Sequence, residues 1–180
     1  MEYFIDEFGG YVQKWTKNSI PVEIRGNPDS ESLSCVNTAI AEINQLSSKT
    51  KLRISSIRDS GIIIQFAPKS ELRALYPEKF ADGLTQTQET YSCEITLAAI
   101  WINNNSHLDS VKRCTIIRHE LLHGLGFEGH TQRFPNSIMY KGYPFITSYS
   151  VLDRDIIRMM YSTDIPPCAS ESEVRAYFSR

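Results

Sequence analysis

The sequence predicts an α+β or α/β domain in which a small sheet is backed by two long helices. Two segments repeat apolar residues at helical spacing, several short segments have strand patterns, and the two kinds of segment follow one another along the chain. The 180 residues are enough for one core. We therefore expect a single domain over 1–180, with 1–18 as an N-terminal extension and 163–180 as a C-terminal tail.

Each element of the first half has its own local signal. Residues 19–26 (SIPVEIRG) form a predicted strand that ends at the turn signal GNPDS. Ser30 is placed to cap a helix that reaches about Ser47, because apolar residues recur there every three or four positions. Residues 51–57 alternate like a half-buried strand, and the apolar run 61–67 (GIIIQFA) predicts a more deeply buried strand.

The second half contains one long polar segment between regular elements. Residues 69–92 are polar and interrupted by proline and glycine, so we expect an irregular connection there. Residues 95–104 contain another strand, and a helix begins near residue 109 or 110 and ends at the glycines of LHGLG. Residues 149–162 form the second long helix, and 169–180 are a candidate short terminal helix.

Composition excludes several classes of partner. The formal net charge is -2 and no polybasic face is visible, so we expect neither nucleic acid nor an anionic membrane surface as a partner. No apolar run approaches the roughly 18 residues of a membrane span. The first residues, MEYFIDEFGG, lack the basic-then-apolar order of a signal peptide. We expect a monomer that is either cytosolic or released from a leader.

Three of the four histidines lie within the stretch RHELLHGLGFEGH. A helix places His119 and His123, four positions apart, on one face, where both imidazoles can bind one metal ion. Glu120 is then placed to reach a water at the metal, which is the H-E-x-x-H arrangement of zinc hydrolases. Gly126 permits a sharp turn that brings His130 toward the same point. Three histidines and an open position indicate a catalytic site for one Zn²⁺ ion, whereas the alternative is a pair of solvated histidines.

This motif resembles that of the metzincin clan of zinc peptidases, and the resemblance continues downstream. SIMY, residues 137–140, is similar to the Met-turn, which would make Met139 the methionine beneath the metal site. Residues 150–161 are similar to the start of the C-terminal helix in matrixin-type members. The resemblance implies a catalytic domain with a small, twisted, mostly parallel sheet, an antiparallel edge strand, an active-site helix, a Met-turn and a C-terminal helix.

The third ligand lies one residue further along than in the clan's pattern. Gly129 occupies the usual place and has no side chain to offer. We expect His130 to bind instead, because one added loop residue lengthens the chain by at most ~3.6 Å and glycines let the loop absorb it. The alternatives are Glu128, a distant acid such as Glu171 or Glu173, or a water.

The resemblance implies a zinc-dependent endopeptidase with a peptide or protein substrate. Glu120 would take a proton from the metal-activated water and pass it to the leaving amine. An extended substrate would pair with an edge strand, for which residues 91–99 are the candidate. Tyr140, Tyr143 and Phe145 would line an apolar specificity pocket. The alternatives are a non-catalytic zinc-stabilised module that binds a protein partner and a cytosolic hydrolase that acts on one cellular protein.

The chain has four cysteines, none in a C-x-x-C pair, and their number and spacing do not decide whether they form disulfides. They allow three pairings or four buried thiols, and an even count in a chain of this size favours an oxidising compartment. We predict a disulfide between Cys93 and Cys114, since it would close a loop of about 20 residues beside the active-site helix. Cys35 and Cys168 would pair or stay free. We expect a secreted, periplasmic or cell-surface protein, with the cytosol as the alternative.

Overall fold

A five-stranded sheet is the frame of the molecule. The structure, a computed structural model, describes residues 10–57, 60–75, 77, 82–105, 109–141 and 145–179. Its strands are β1 (Ser19–Arg25), β2 (Lys51–Ile54), β3 (Gly61–Ala67), β4 (Gly83–Glu89) and β5 (Ile95–Asn103). Its helices are α1 (Ser30–Leu46), α2 (Lys69–Leu75), α3 (Ser110–Gly124), α4 (Val151–Ser162) and α5 (Glu171–Phe178).

Four strands of this sheet are parallel and one edge strand is antiparallel. The strand order is β2-β1-β3-β5-β4, and β4 pairs antiparallel with β5 while the other neighbours are parallel. The register places Ile63 beside Ala99 and Thr85 beside Ile100. The predicted fold class, a mostly parallel sheet with an antiparallel edge strand, is therefore confirmed.

The core joins the central strands to three of the helices. Ile62 in β3 and Ile102 in β5 are fully buried, as expected for strands that have a neighbour on each side. The apolar stripe of α1, including Val36 and Ile43, is buried as predicted, and α1 packs against α3 and α4. α3 in turn packs against β4 and β5. In the parts of the chain that are described, no helix has the length and apolarity to cross a bilayer.

Two elements occupy the segment 69–92, for which the sequence predicted an irregular connection. α2 and β4 lie there, and β4 has the polar sequence GLTQTQE. The prediction was wrong because an edge strand is paired on one side only and needs few apolar residues. The prediction that 91–99 is the edge strand was also wrong, since β5 is paired with β3 and β4 on its two sides.

The cysteines pair differently from the prediction. The disulfides are Cys35–Cys114 and Cys93–Cys168, so the predicted Cys93–Cys114 bridge was wrong. Cys35 lies in α1 beside Cys114 in α3, with a Cα–Cα distance of 5.6 Å. Cys93 instead lies in the turn between β4 and β5, where its carbonyl accepts a hydrogen bond from Lys14 of the N-terminal segment. Closeness in sequence was a poor guide because the packing of distant segments decides which cysteines meet.

Candidate active site

His119, His123 and His130 bring their Nε2 atoms to one point. The Nε2–Nε2 distances are 2.9 Å for His119–His130, 3.1 Å for His119–His123 and 3.3 Å for His123–His130. Nitrogens bound to a tetrahedral zinc ion at ~2.0–2.1 Å are about 3.3 Å apart, so the triangle is close to the size that zinc requires. Among the described residues, these three form the one group of histidine, cysteine or acidic side chains that can hold a metal ion.

The turn after α3 brings His130 back to the helix. Gly126 has φ of +95°, in the left-handed region, and a Cβ there would lie 2.2 Å from the carbonyl oxygen of Gln13. The Gly126 N–H donates to the carbonyl of His123 over 2.8 Å, which closes the helix end. After His130, Thr131 pairs with Tyr140 in an isolated bridge. Helix geometry thus places two histidines, and a glycine turn places the third.

The second ring nitrogens of two histidines are held by carbonyl groups. His119 Nδ1 lies 2.8 Å from the carbonyl oxygen of Ile138, and His123 Nδ1 contacts that of Phe127. An Nδ1–H that donates to a carbonyl leaves the Nε2 lone pair free for a metal. Burial lowers the pKa of His119 to about 4, with a smaller effect in the same direction from His130, although the hydrogen bond to Ile138 opposes them. His119 is therefore neutral near pH 7, as a metal ligand must be.

The segment that contains Met139 is anchored by a buried carboxylate of α4. Asp153, 1% exposed, accepts hydrogen bonds from Ser137 Oγ at 2.6 Å and from the Ile138 N–H at 3.0 Å. The Tyr140 N–H donates to the Ser137 carbonyl, and Met139 is buried in the core. Because the carbonyl of Ile138 accepts from His119, Asp153 helps to hold the residue whose carbonyl orients a histidine. The Met-turn role of Met139 stays a prediction.

Glu120 lies between α3 and the edge strand. It is 7% exposed, and Thr85 Oγ1 donates to its Oε2 over 2.7 Å. Gly83 permits this close approach, because a Cβ there would lie 2.4 Å from Ile116 Cγ2 and 2.8 Å from Glu120 Oε1. The carboxyl group is therefore packed against β4, in the same cleft as the histidines.

The cleft has a volume of roughly 550 Å³ and is lined by both predicted and unpredicted residues. Tyr140 lines it, as does Glu128, whose pKa is raised by burial and by the nearby carboxylate of Glu89. Phe145 is 75% exposed and is not among the described residues that line the cleft. Tyr143 lies outside the described residues.

Several site residues could not be found from the sequence. Thr85 and Gly83 contact Glu120 from a strand that the sequence did not predict. Trp15 Nε1 donates to the carbonyl of Gly124 over 2.8 Å, although the two residues are 109 positions apart. Gly83, Thr85 and Trp15 carry no local sequence signal, because the role of each depends on a partner from a distant part of the chain.

Solved structures with a similar fold include a zinc protease. High choriolytic enzyme 1, a hatching enzyme zinc-protease from the medaka fish Oryzias latipes, matches with a TM-score of 0.50 and 16% sequence identity, over 83% of this chain and 94% of its own. Two structures of myroilysin match at 12% identity: one with a TM-score of 0.55 over 87% of this chain and 100% of its own, the other with 0.54 over 84% and 86%. The chain therefore has the fold of a zinc metalloprotease.

Sequence comparison identifies the family. A search of curated proteins found no match in sequence. One family model matches residues 1–180, and its description is "Protein of unknown function (DUF2927)". Because the match spans all 180 residues, the chain belongs to the DUF2927 family.

Proposed function

We propose that this protein is a zinc-dependent endopeptidase. The observation that carries the proposal is the convergence of three histidine Nε2 atoms, 2.9–3.3 Å apart, in one cleft with the buried carboxyl group of Glu120. The zinc metalloprotease fold supports it. A non-catalytic zinc module would need the histidines but not a glutamate held beside them.

The donor set fits one zinc ion. His119, His123 and His130 would hold it, since three neutral imidazoles leave a fourth position open for water or substrate. Bound zinc would supply a Lewis acid that polarises the scissile carbonyl and lowers the pKa of a water molecule. Ile138 and Phe127 would keep two of the rings oriented through their carbonyl groups.

Glu120 would carry out the proton transfers in this mechanism. Its carboxylate would accept a proton from the attacking water and return it to the leaving amine, as general base and then general acid. Its placement in the cleft, next in sequence to His119 but outside the Nε2 triangle, suits a base rather than a ligand. We propose that residues 1–180 belong to one such catalytic domain.

The substrate would be a peptide or protein in an extended conformation. β4 is the antiparallel edge of the sheet, and Thr85 and Thr87 of this strand line the cleft. An extended chain could therefore pair with β4 antiparallel to it, so that its scissile bond reaches Glu120. Tyr140, and by the sequence prediction Tyr143 and Phe145, would contribute to an apolar specificity pocket with Met139 in a Met-turn.

The compartment and assembly state are part of the same proposal. Two disulfides favour an oxidising location, so we propose a secreted, periplasmic or cell-surface enzyme that acts as a monomer. Analytical ultracentrifugation and non-reducing peptide mapping of the native protein test these two statements.

The experiment combines metal analysis with digestion of a peptide library by wild type and Glu120→Ala. Loss of the general base should lower the rate by ~10²–10⁴-fold while one zinc ion per chain stays bound. Glu171→Ala is the control, because Glu171 is an acid of α5 that the sequence offered as an alternative ligand. Wild-type cleavage by Glu120→Ala would disprove the mechanism, and a wild type that binds zinc but cleaves nothing would favour the protein-binding module.

A further inference from the structure

We propose that Thr85 is a positioning residue that holds the carboxylate of Glu120 in its catalytic orientation. The inference rests on the proposed function, because Glu120 needs a fixed orientation only if it transfers protons. It assigns to the edge strand a second role beside substrate pairing.

The Thr85 hydroxyl has two acceptors on the same residue. Its Oγ1 lies 2.7 Å from Glu120 Oε2 and 3.0 Å from the main-chain oxygen of Glu120. A hydroxyl group has a single proton, and a charged carboxylate is the stronger acceptor at the shorter distance. Thr85 therefore donates to the carboxylate, and this hydrogen bond fixes one of its two oxygens.

β4 restrains Glu120 on two sides with residues that share one face. Gly83 and Thr85 are two positions apart on the strand, so both face α3. Gly83 packs against the side chain of Glu120, because a Cβ at this position would lie 2.8 Å from both Cγ and Oε1. A glutamate side chain has three rotatable bonds, and contact with Gly83 alone would not set the rotation of its carboxyl group. The hydroxyl of Thr85 adds a constraint on that rotation.

The backbone of Thr85 is itself firmly placed. Thr85 pairs with Ile100 in the antiparallel ladder. Just before β4, the Asp82 carboxylate binds Lys69 at 2.7 Å and Lys112 of α3 at 2.8 Å. Burial acts in the opposite direction, but the hydrogen bonds from Lys112, Lys69 and Asn103 lower the pKa of Asp82 to about 2. The start of β4 is thus tied to α3 by an ion pair that persists at neutral pH.

The test uses one isosteric and one conservative variant. Thr85→Val keeps the shape and removes the donor, whereas Thr85→Ser keeps the donor. We expect Thr85→Val to lower kcat for a quenched fluorescent peptide roughly 10-fold, the loss expected from one hydrogen bond to a charged group, with KM changed less than about twofold. Thr85→Ser should restore most of kcat, and zinc stoichiometry should stay at the wild-type value in both variants.

Thr96→Val is the matched control. The Thr96 hydroxyl donates to the carbonyl of Gln88 in β4 over 3.1 Å, so this variant also removes one hydrogen bond to the edge strand. Thr96 is not among the described residues that line the cleft, and its loss should leave kcat unchanged. An equal fall of kcat in Thr96→Val and Thr85→Val would mean that general loosening of β4 is responsible, which would overturn the inference.

Other outcomes separate the inference from the proposed function. If Glu120→Ala is inactive and Thr85→Val keeps the wild-type kcat, only the inference is wrong. If Glu120→Ala cleaves at the wild-type rate, the proposed function is wrong and the inference falls with it. Should Thr85→Val fail to fold, Thr85→Ala takes its place. Equal losses of kcat and of the unfolding midpoint in the Ala and Ser variants would then identify a merely structural role and contradict the inference.

Discussion

The two ends of the active-site helix α3 are held by different kinds of interaction. At the N-terminal end, the Cys35–Cys114 disulfide joins α3 to α1, and Lys112 of the first turn binds the carboxylate of Asp82. These constraints are covalent and ionic. They respond to reductant, and the ion pair is lost when Asp82 is protonated.

At the C-terminal end, neutral buried groups bind the last carbonyls of the helix. Trp15 donates to Gly124 and the Tyr161 hydroxyl donates to Leu125. Burial raises the pKa of Tyr161 well above its ordinary value, so this hydroxyl remains a donor at any physiological pH. The unsatisfied carbonyls that every helix end presents are here supplied with donors by distant parts of the chain.

The difference shows where positional precision is needed. The metal-binding histidines belong to the C-terminal half of α3 and to the turn that follows it, and there the two caps, Trp15 and Tyr161, are neutral hydrogen-bond donors. Lys112 and Cys114 precede the first ligand, His119, by about one to two helical turns, and we expect their constraints to contribute mainly to stability. The comparison predicts that the two ends can be perturbed separately.

Removal of the Cys35–Cys114 disulfide should have the largest effect on stability. For a sequence separation of 79, the chain-entropy model gives a loss of about 4–5 kcal/mol in the free energy of unfolding of Cys35→Ala/Cys114→Ala. Cys93→Ala/Cys168→Ala, with a separation of 75, should lose nearly as much. Denaturant unfolding measures both. Zinc affinity of the folded Cys35→Ala/Cys114→Ala variant should match wild type, and a parallel loss of zinc would contradict the comparison.

His130→Ala should reverse that pattern, with a large effect on zinc and a small one on folding. The remaining two histidines would bind zinc at least about 100-fold more weakly, because even the loss of an outer-shell partner of a ligand costs 10–100-fold. Competition with a chelating dye measures the affinity. Glu128→Ala is the control, because Glu128 lines the cleft outside the histidine triangle. Wild-type affinity in His130→Ala would show that the turn does not deliver the third ligand.

Gly126→Ala tests the turn itself. The substituted residue would have to keep φ of +95° and would place its Cβ 2.2 Å from the Gln13 carbonyl oxygen. We expect a loss of about 2–3 kcal/mol in the free energy of unfolding. Gly10→Ala provides the comparison, since Gly10 has φ of +96° but no heavy atom of the described residues lies within 4 Å of the added Cβ, so it should lose only about 1 kcal/mol. Equal losses in both variants would mean that the contact with Gln13 is unimportant.

Of these variants, Trp15→Phe should change the free energy of unfolding least. It tests directly whether the C-terminal end of α3 needs its cap. The substitution keeps an aromatic ring in the core but removes the donor to Gly124, at a cost of about 1 kcal/mol in the free energy of unfolding. Because Gly124 follows His123, zinc affinity should fall several-fold as well. Trp101→Phe in β5 is the control for loss of an indole group. An unchanged zinc affinity in Trp15→Phe would show that this end of α3 needs no cap to hold its ligands.

Local patterns in the sequence predicted α1 and α4, because each of them buries a stripe of residues three or four positions apart. α3 is buried on most sides and was predicted from its start near residue 109 or 110 and from the glycines at its end. The relative placement of His119, Glu120 and His123 depends on helix geometry alone, so it too could be predicted from the sequence. One local detail was wrong: the N-cap of α1 is Asp29, whose carboxylate accepts from the Ser32 N–H, rather than Ser30. Asp and Ser are both good N-caps, and the sequence offers both in succession.

The sequence by itself determined the helices other than α2, the buried strands, and the pair of histidines with its adjacent glutamate, since these follow from local patterns within a few turns of chain. The tertiary structure alone decided the polar edge strand β4, the two disulfides, and the partners of Glu120 and Gly124. The physical reason is that an edge strand buries little apolar surface and so leaves no hydrophobic pattern. Contacts between residues such as Thr85 and Glu120, 35 positions apart, exist only after the sheet has brought β4 against α3.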